Sequence, residues 1–407
     1  MEDTLKEIKD RDDMIRFFNG YSLDRKEELD EKRIQKGLVK SYMFETLGNG
    51  TIEDNPSIRD LFDDKRIKIE MLDENLYRVM DRKKNVITGF MEDLIDSRYF
   101  SYYTKELSQS SDKWMNSLVR SSPYIDHVWL SGWTFQTLWN KIKVLVDANR
   151  YIRFKFDHES FFETDEDLND INDDEDVNDE DRIIERRKTS FSMIDRKKVI
   201  AELLDKFQGL YDPLYSITQL RFPSTSSKGG HDFFFNGKVT NRSDNFRDHR
   251  EHLLYVLRIY NRIINQTEEK VWFNYNDDPV HEKRGLKGSP LRLEFSNDGL
   301  SQSTFDRFIE STFKGNQNRF RLWGNPIRMG PSKVHVYGLD QHLWQPIQME
   351  ITTRYINAII PKGTCGNTVH RLVTNVQRFL DPSVRVYLGE MRYEDLIERA
   401  SRGEGDV

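Results

Sequence analysis

Two hydrophobic periods alternate along most of the chain. At residues 150–162, RYIRFKFDHESFF places Ile152, Phe154 and Phe156 on one side of an extended backbone and Arg153, Lys155, Asp157 and Glu159 on the other. Its β-branched and aromatic residues predict a strand. DRKKVIAELLDKFQGLY (195–211) and FRDHREHLLYVLRIYNRIINQ (246–266) carry apolar residues at helical spacing and predict amphipathic helices. Between them, ITQLRFPSTSSKGGHDFFFNGKV (217–239) predicts strand, glycine-containing turn, strand. SDKWMNSLVRSS predicts a helix, KVWFNY and PLRLEFS predict strands, and the C-terminal EITTRYINAIIPKGTCGNTVHRLVTNVQRFLDPSVRVYLGE predicts strand, turn, helix, strand. No internal repeat is visible.

Residues 1–110 read as mostly helical. SLDRKEELDEKRIQKGLVKSYMFETLGNG begins behind Ser22 as an N-cap and stops at Gly48-Asn49-Gly50, and NPSIRDLFDD opens a second helix at Ser57. RIKIEMLDENLYRVMDRKKNVITGF fits a hairpin or a helix equally. The expected architecture is α+β: a mostly helical module at 1–110, a domain of mixed β-sheets with flanking helices at 111–395, and a flexible tail at 396–407.

Charge changes this picture in one place. The 407-residue chain has a net charge of −7, yet ETDEDLNDINDDEDVNDED (163–181) holds twelve acidic residues and no basic one. The remainder is therefore mildly basic, which suits a nucleic-acid partner without demonstrating one. Residues 163–187 are expected to be a disordered acidic insertion. The single cysteine, Cys365, excludes an intrachain disulfide and any cysteine-built zinc or iron–sulfur site. No apolar run reaches membrane-spanning length, so no membrane partner and a cytoplasmic location are expected.

Three stretches carry candidate chemistry. Asp157 and Glu159 share a strand face, roughly 6.5–7 Å apart along the backbone, close enough to converge on one divalent cation or a pair; an exposed charged face would look the same. In STSSKGGH, Gly229 and Gly230 allow close approach to a ligand, Ser226, Ser227 and Lys228 are phosphate-binding types, and His231 opens the next strand; a hairpin loop with a structural histidine is the plainer alternative. In FIESTFKGNQNRFRLWGNPIRMGPSK (308–333), Glu310 follows two apolar residues, and Arg319, Arg321, Arg328 and Lys333 interleave with Phe320 and Trp323. Cations between aromatics suit a nucleotide or single strand, the rings stacking on bases; a solvated basic hairpin is the alternative. Two weaker sets are Cys365 with His370, and His231, Asp232, Asp248, His249 and His252. A metal-dependent nuclease could use the second set, although its spacing favours a solvated helix face.

Taken in order, these three stretches resemble the archaeo-eukaryotic primase superfamily, in its primase-polymerase (PrimPol-like) branch. RFKFDHESFF is similar to its first motif, SSKGGH to its second and FIESTFKGNQNRFRLWG to its third. The resemblance covers about residues 145–340 and implies a template-dependent nucleotidyltransferase of primase-type fold. Asp157, Glu159 and Glu310 would hold Mg2+ or Mn2+, while His231, Ser227, Lys228, Gly229, Arg321 and Lys333 would serve catalysis and nucleotide binding. Single-stranded or primed DNA, nucleoside triphosphates and replication or repair proteins would be the partners. The sequence departs from the family at Glu310, where aspartate is usual, with Asp306 as the rival third acid, and it lacks the cysteines of the zinc module. A nuclease using the same carboxylates and a non-catalytic nucleic-acid adaptor are the alternatives.

Overall fold

The structure is a computed structural model that describes residues 2–32, 37–46, 61–62, 67–159, 188–207, 212–278, 283–296, 299–313 and 319–403. The acidic insertion expected at 163–187, Gly48–Gly50 and most of NPSIRDLFDD lie outside the described residues. The helices are α1 (Glu2–Lys6), α2 (Arg11–Lys32), α3 (Ser108–Ser121), α4 (Gly132–Leu145), α5 (Lys197–Phe207), α6 (Phe246–Val271), α7 (Gln302–Thr312), α8 (Asn367–Phe379) and α9 (Tyr393–Arg402). A first sheet contains β1 (Lys40–Glu45), β2 (Ile67–Asp73), β3 (Leu76–Asp81), β4 (Val86–Ile95), β5 (Tyr99–Thr104), β6 (Asp126–His127), β7 (Tyr151–Glu159), β8 (Lys188–Arg196), β9 (Ile217–Pro223), β10 (Gly230–Phe234) and β11 (Lys238–Asn241). Its order is β2-β3-β4-β5-β1-β11-β10-β9-β7-β8, with β6 beside β1. A second sheet contains β12 (Trp272–Asp278), β13 (Lys283–Lys287), β14 (Leu291–Glu294), β15 (Leu322–Gly330), β16 (Lys333–Asp340), β17 (Gln345–Thr352), β18 (Tyr355–Pro361), β19 (Arg385–Leu388) and β20 (Met391–Arg392). It runs β15-β16-β17-β18-β14-β19-β20, with β12 joining β18 and β13 joining β12. The α+β class is as expected. Among the described pairs only β12–β18 is parallel; the rest are antiparallel.

The N-terminal region is not mostly helical. After α2 the chain forms five strands, β1 to β5, and β1 pairs with β11, so one sheet runs across residue 110. The physical reason lies in burial. Every residue of β1 (KSYMFE) and β5 (YFSYYT) is buried, so neither strand has the polar face that would make its period visible. One face packs with α2 and α6 in the main core through Met43, Tyr99 and Tyr103, and the other meets Met115, Leu118 and Val119 of α3 through Tyr42, Phe44, Phe100 and Tyr102. At the other end, residues expected in a flexible tail form α9, with Leu396, Ile397 and Ala400 fully packed. Among the described residues no helix is long and apolar enough to cross a membrane.

Helix α6 is the central pillar. Phe246, Leu253, Val256, Leu257, Tyr260, Ile263 and Ile264 bury its apolar side at helical spacing. Asn245 caps it by accepting from the Asp248 N–H, and Asn19 Oδ1 accepts from the N–H groups of Phe246 and Arg247.

Two buried ionic centres tie distant elements together, the first of them across the two sheets. Arg371 on α8 bonds Asp126 of β6 and Asp340 of β16, and its Nε donates to the Phe320 carbonyl at 2.9 Å. All three side chains are fully buried. In the second centre, Arg98 reaches Glu45 of β1 at 2.7 Å and Glu268 of α6 at 2.5 Å, while the Cys365 thiol donates to Glu45 at 3.2 Å. Burial, offset by Arg98 and reinforced by the Glu268 charge, pushes the Glu45 carboxyl up to about 7. The folded protein thus binds this proton more tightly than the unfolded chain. The stabilisation is fully present below the unfolded carboxyl range and is lost as pH rises through about 7. Glu45→Gln keeps the shape and removes the titration. Urea unfolding between pH 5 and 8 is expected to show a flatter stability profile for this variant than for wild type; superimposable profiles would exclude Glu45 as the titrating group.

Candidate nucleic-acid interface

The structure disperses the residues expected to form a polymerase centre. Asp157 and Glu159 lie at the C-terminal end of β7. Asp157 is buried and its Oδ2 accepts from the Thr218 hydroxyl at 2.8 Å, while Glu159 pairs with Arg319 at 3.1 Å. β7 runs antiparallel to β9 with Phe154 opposite Leu220, and β9 runs antiparallel to β10 with Phe222 opposite His231. That register puts His231 level with Ile152, about 17 Å along the strands from Asp157. Glu310 is exposed on α7, and Asp306, on the same helix, bonds Arg328. Among the described residues, two groups of three or more His, Cys, Asp or Glu bring ligand atoms within 4.8 Å of one another; neither contains Asp157, Glu159, Asp306 or Glu310.

The nucleotide-binding candidates divide in the same way. Arg321, expected to meet phosphate, is buried, pairs with Asp126 at 3.2 Å and donates to the carbonyls of Ile125 and Ser122. Ser227 is engaged within its own loop, with Ser224 Oγ at 2.9 Å, and Arg150 ties that loop down through the Ser224 and Ser227 carbonyls. Gly229 has φ +92°, and a Cβ there would meet the Arg242 carbonyl at 2.2 Å, so its role is to bring the hairpin close. Lys228 is exposed. Lys333 stands on β16 and pairs with Glu350 at 2.6 Å.

His231 belongs to a different constellation. Gly229 and Gly230 deliver it from β10 against the first turns of α6, where Asp248 and His252 share a face one helical turn apart. Its Nε2 lies 2.8 Å from Asp248 Oδ2, its Nδ1 lies 3.2 Å from His249 Nδ1, and His249 Nε2 lies 2.7 Å from Ser41 Oγ. Burial holds both imidazoles below their ordinary pKa, hence neutral. A carboxylate only accepts, so the direction follows along the chain: Ser41 donates to His249, His249 to His231, and His231 to Asp248. Burial opposes ionisation of Asp248, but hydrogen bonds from His231, Ser224 and Thr225 outweigh it and hold the carboxyl well below the usual range. Asp248 and His252 also line a pocket of about 270 Å3 whose other walls include Ile142, Leu145, Val146 and Tyr255. Asp232, next in sequence to His231, points to the opposite strand face and is paired with Arg221 and Arg242.

The second compact group, Glu45, Glu268 and Cys365, already contains a cation, because the Arg98 guanidinium contacts all three. Cys365 is fully buried with its thiol pKa pushed up by burial, and His370 bonds Tyr393 and Thr267, so this pair forms no nucleophilic centre. The N–H of Gly366, at the start of α8, donates to Glu268 rather than facing solvent.

A surface with chemistry of its own lies on the second sheet. Strands β15-β16-β17-β18-β14-β19 bury one face through Leu322, Val334, Val336, Ile347, Met349, Ile351, Ile356, Ala358, Leu291, Leu293 and Val386. Alternation places Trp323, Ile327, Lys333, His335, Tyr337, Gln348, Glu350, Tyr355, Asn357, Ile359, Arg292, Glu294, Tyr387 and Arg385 on the other face, where Glu294 pairs with Arg292 and Arg385. Tyr337 is 62 % exposed and Trp323 51 %. The Arg292 guanidinium lies over the Tyr355 ring, 4.5 Å from its centroid, and Glu350 accepts from Lys333, His335 and Tyr355. Sequence reading singled out Trp323 and Lys333. It missed Tyr337, Tyr355, Tyr387, Arg292 and Arg385, although the alternation in KVHVYGLD and YINAII marks an open sheet face.

The two expected phosphate ligands should therefore behave differently. Arg321→Ala leaves Asp126 and neighbouring carbonyls short of a buried donor and is expected to cost about 3 kcal/mol or more of stability. Lys333→Ala removes a surface pair and is expected to cost under about 1 kcal/mol. Urea denaturation of both variants measures the difference; equal stabilities would return Arg321 to the list of ligand-facing residues.

No solved structure matches the chain. A curated protein of Methanocaldococcus jannaschii, the uncharacterized protein MJECL33, is 23 % identical over 388 residues, an alignment covering 88 % of each chain. Residues 2–396, nearly the full length, match the family described as MJECL33-like protein, and the chain belongs to that family.

Proposed function

We propose that the protein binds single-stranded nucleic acid on the open face of its second sheet, as a replication- or repair-associated binding protein rather than as a template-dependent polymerase. The observation that carries this reading is the six-stranded antiparallel face on which Trp323, Tyr337, Tyr355 and Tyr387 alternate with Arg292, Arg385 and Lys333, cations that pair with Glu294 and Glu350 on the same face and would exchange those carboxylates for phosphate. Rings on a flat sheet stack on unpaired bases of any sequence, and cations between them meet the backbone phosphates. Duplex bases are already stacked on each other, which is why such a platform favours single strands. The distance between Asp157 and His231, and the absence of Asp157, Glu159 and Glu310 from the compact ligand groups among the described residues, weigh against a primase-type metal centre.

Fluorescence anisotropy with a labelled single-stranded oligonucleotide tests the proposal. Each stacked base is worth about 1–3 kcal/mol, so Trp323→Ala and Tyr337→Ala are each expected to weaken binding by about 5- to 150-fold. Affinity should fall as salt rises. Unchanged affinity in both variants, or no saturable binding by wild type, would overturn the assignment. The same samples, given nucleoside triphosphates with Mg2+ or Mn2+ and a primed or unprimed template, separate the other readings. Incorporation would restore the primase-polymerase, and strand cleavage would favour the nuclease.

A further inference from the structure

We propose that His231, Asp248 and His252 bind one divalent transition-metal ion of the zinc class, with its open coordination positions facing the adjoining 270 Å3 pocket. This site is separate from the strand-binding face and does not depend on it.

The donor set comes first. Two imidazoles and one carboxylate offer ligand atoms within 4.8 Å of one another. Bonds of about 2.0–2.2 Å to zinc need donors roughly 3.3–3.6 Å apart, so a small opening of the 2.8 Å His231–Asp248 contact admits the ion. Imidazole-rich sites suit Zn2+, Fe2+ or Ni2+ better than Mg2+ or Mn2+, which favour oxygen ligands. Three protein ligands beside a cavity is the arrangement of a catalytic zinc site, with a fourth position left for water or substrate.

The surrounding bonds supply the second reason. The chain Ser41–His249–His231 can be ordered in two ways. In the first, His231 donates from Nε2 to Asp248. In the second, His231 donates from Nδ1 to His249, His249 donates from Nε2 to Ser41, and His231 Nε2 is a bare lone pair facing a carboxylate. Without a cation the second order sets two acceptors against each other. With a metal ion between them it becomes the favourable one with every nitrogen of His231 and His249 still satisfied, and His252, whose Nδ1 donates to the Asp248 carbonyl at 2.8 Å, has Nε2 left for the ion. A ligating histidine ordinarily donates its other N–H to a fixed acceptor, and here His249 and Ser41 provide it. The hydroxyl rotor of Ser41 can end the chain in either direction.

The Arg98 centre offers an internal comparison. There a guanidinium occupies the middle of Glu45, Glu268 and Cys365. The bonded partners of Asp248 are instead hydroxyls, a backbone N–H and imidazole. The pocket walls, largely apolar with Lys141 and Glu251 among the lining, fit a small organic group next to the metal's open positions.

Co2+ binding is the direct test. Full-length protein, stripped with chelator and titrated with Co2+ alone, is expected to show saturable visible absorption at one ion per chain, displaced by Zn2+. Zn2+ should also raise the thermal unfolding midpoint of wild type. His252→Ala, at the half-buried position, is expected to weaken Co2+ binding at least 100-fold. Ser41→Ala, which touches no ligand of the ion, should weaken it by about 10- to 100-fold through loss of the outer hydrogen bond. No saturable spectrum together with no Zn2+-dependent shift would overturn the site, as would wild-type affinity in a folded His252→Ala. Oligonucleotide binding measured on the same metal-free protein keeps this outcome distinct from that of the sheet face.

Discussion

Arg371 is the point on which the architecture turns. Its fully buried guanidinium joins β6 of the first sheet to β16 of the second from a helix lying between them. Arg321 adds a second positive charge against the same aspartate, Thr368 bonds Asp340, and the Trp129 indole N–H donates to Asp126 at 3.1 Å. Two guanidinium and two carboxylate groups balance, and attraction to the arginines keeps Asp126 ionised despite burial. A buried centre of this kind contributes little net stability over an apolar replacement, but breaking one side of it is costly. It therefore fixes how β6, β16 and α8 sit together, and with them the sheet whose outer face carries the aromatic residues.

The same centre shows where sequence reading reaches its limit. Local pattern was enough for α6, whose apolar spacing is regular over 26 residues. It was enough for β7, and for β9 and β10, where paired glycines mark the turn. It failed at β1 and β5, which are covered on both faces. It also failed for Arg321. That side chain stands in a basic, aromatic stretch and looks solvent-facing until Asp126, nearly two hundred residues away, is seen to hold it.

Motif order is a statement about sequence, and the sheet register is a statement about space. The acid-x-acid strand and the Ser/Lys/Gly/His turn fall in the expected order. Yet β9 comes between β7 and β10, and His231 lies level with the start of β7 whereas Asp157 lies near its end. His231, Asp248, His249 and His252 were visible as a set, but helical spacing alone argued for a solvated face. What buries them is the hairpin brought down on α6 by Gly229 and Gly230, a tertiary event that no local period encodes.

The pairing of β7 with β8 has a consequence for the acidic segment. Glu159 lies directly opposite Lys188, so the chain leaves the sheet and rejoins it at one point. The entropic cost of holding two such strand ends together grows only with the logarithm of the number of residues that join them, about 0.6 kcal/mol per doubling. Nine cross-strand pairs, from Tyr151 opposite Arg196 to Glu159 opposite Lys188, are available to offset it. A change in the number of residues at this position therefore carries a small thermodynamic cost, while those pairs hold the register of the two strands.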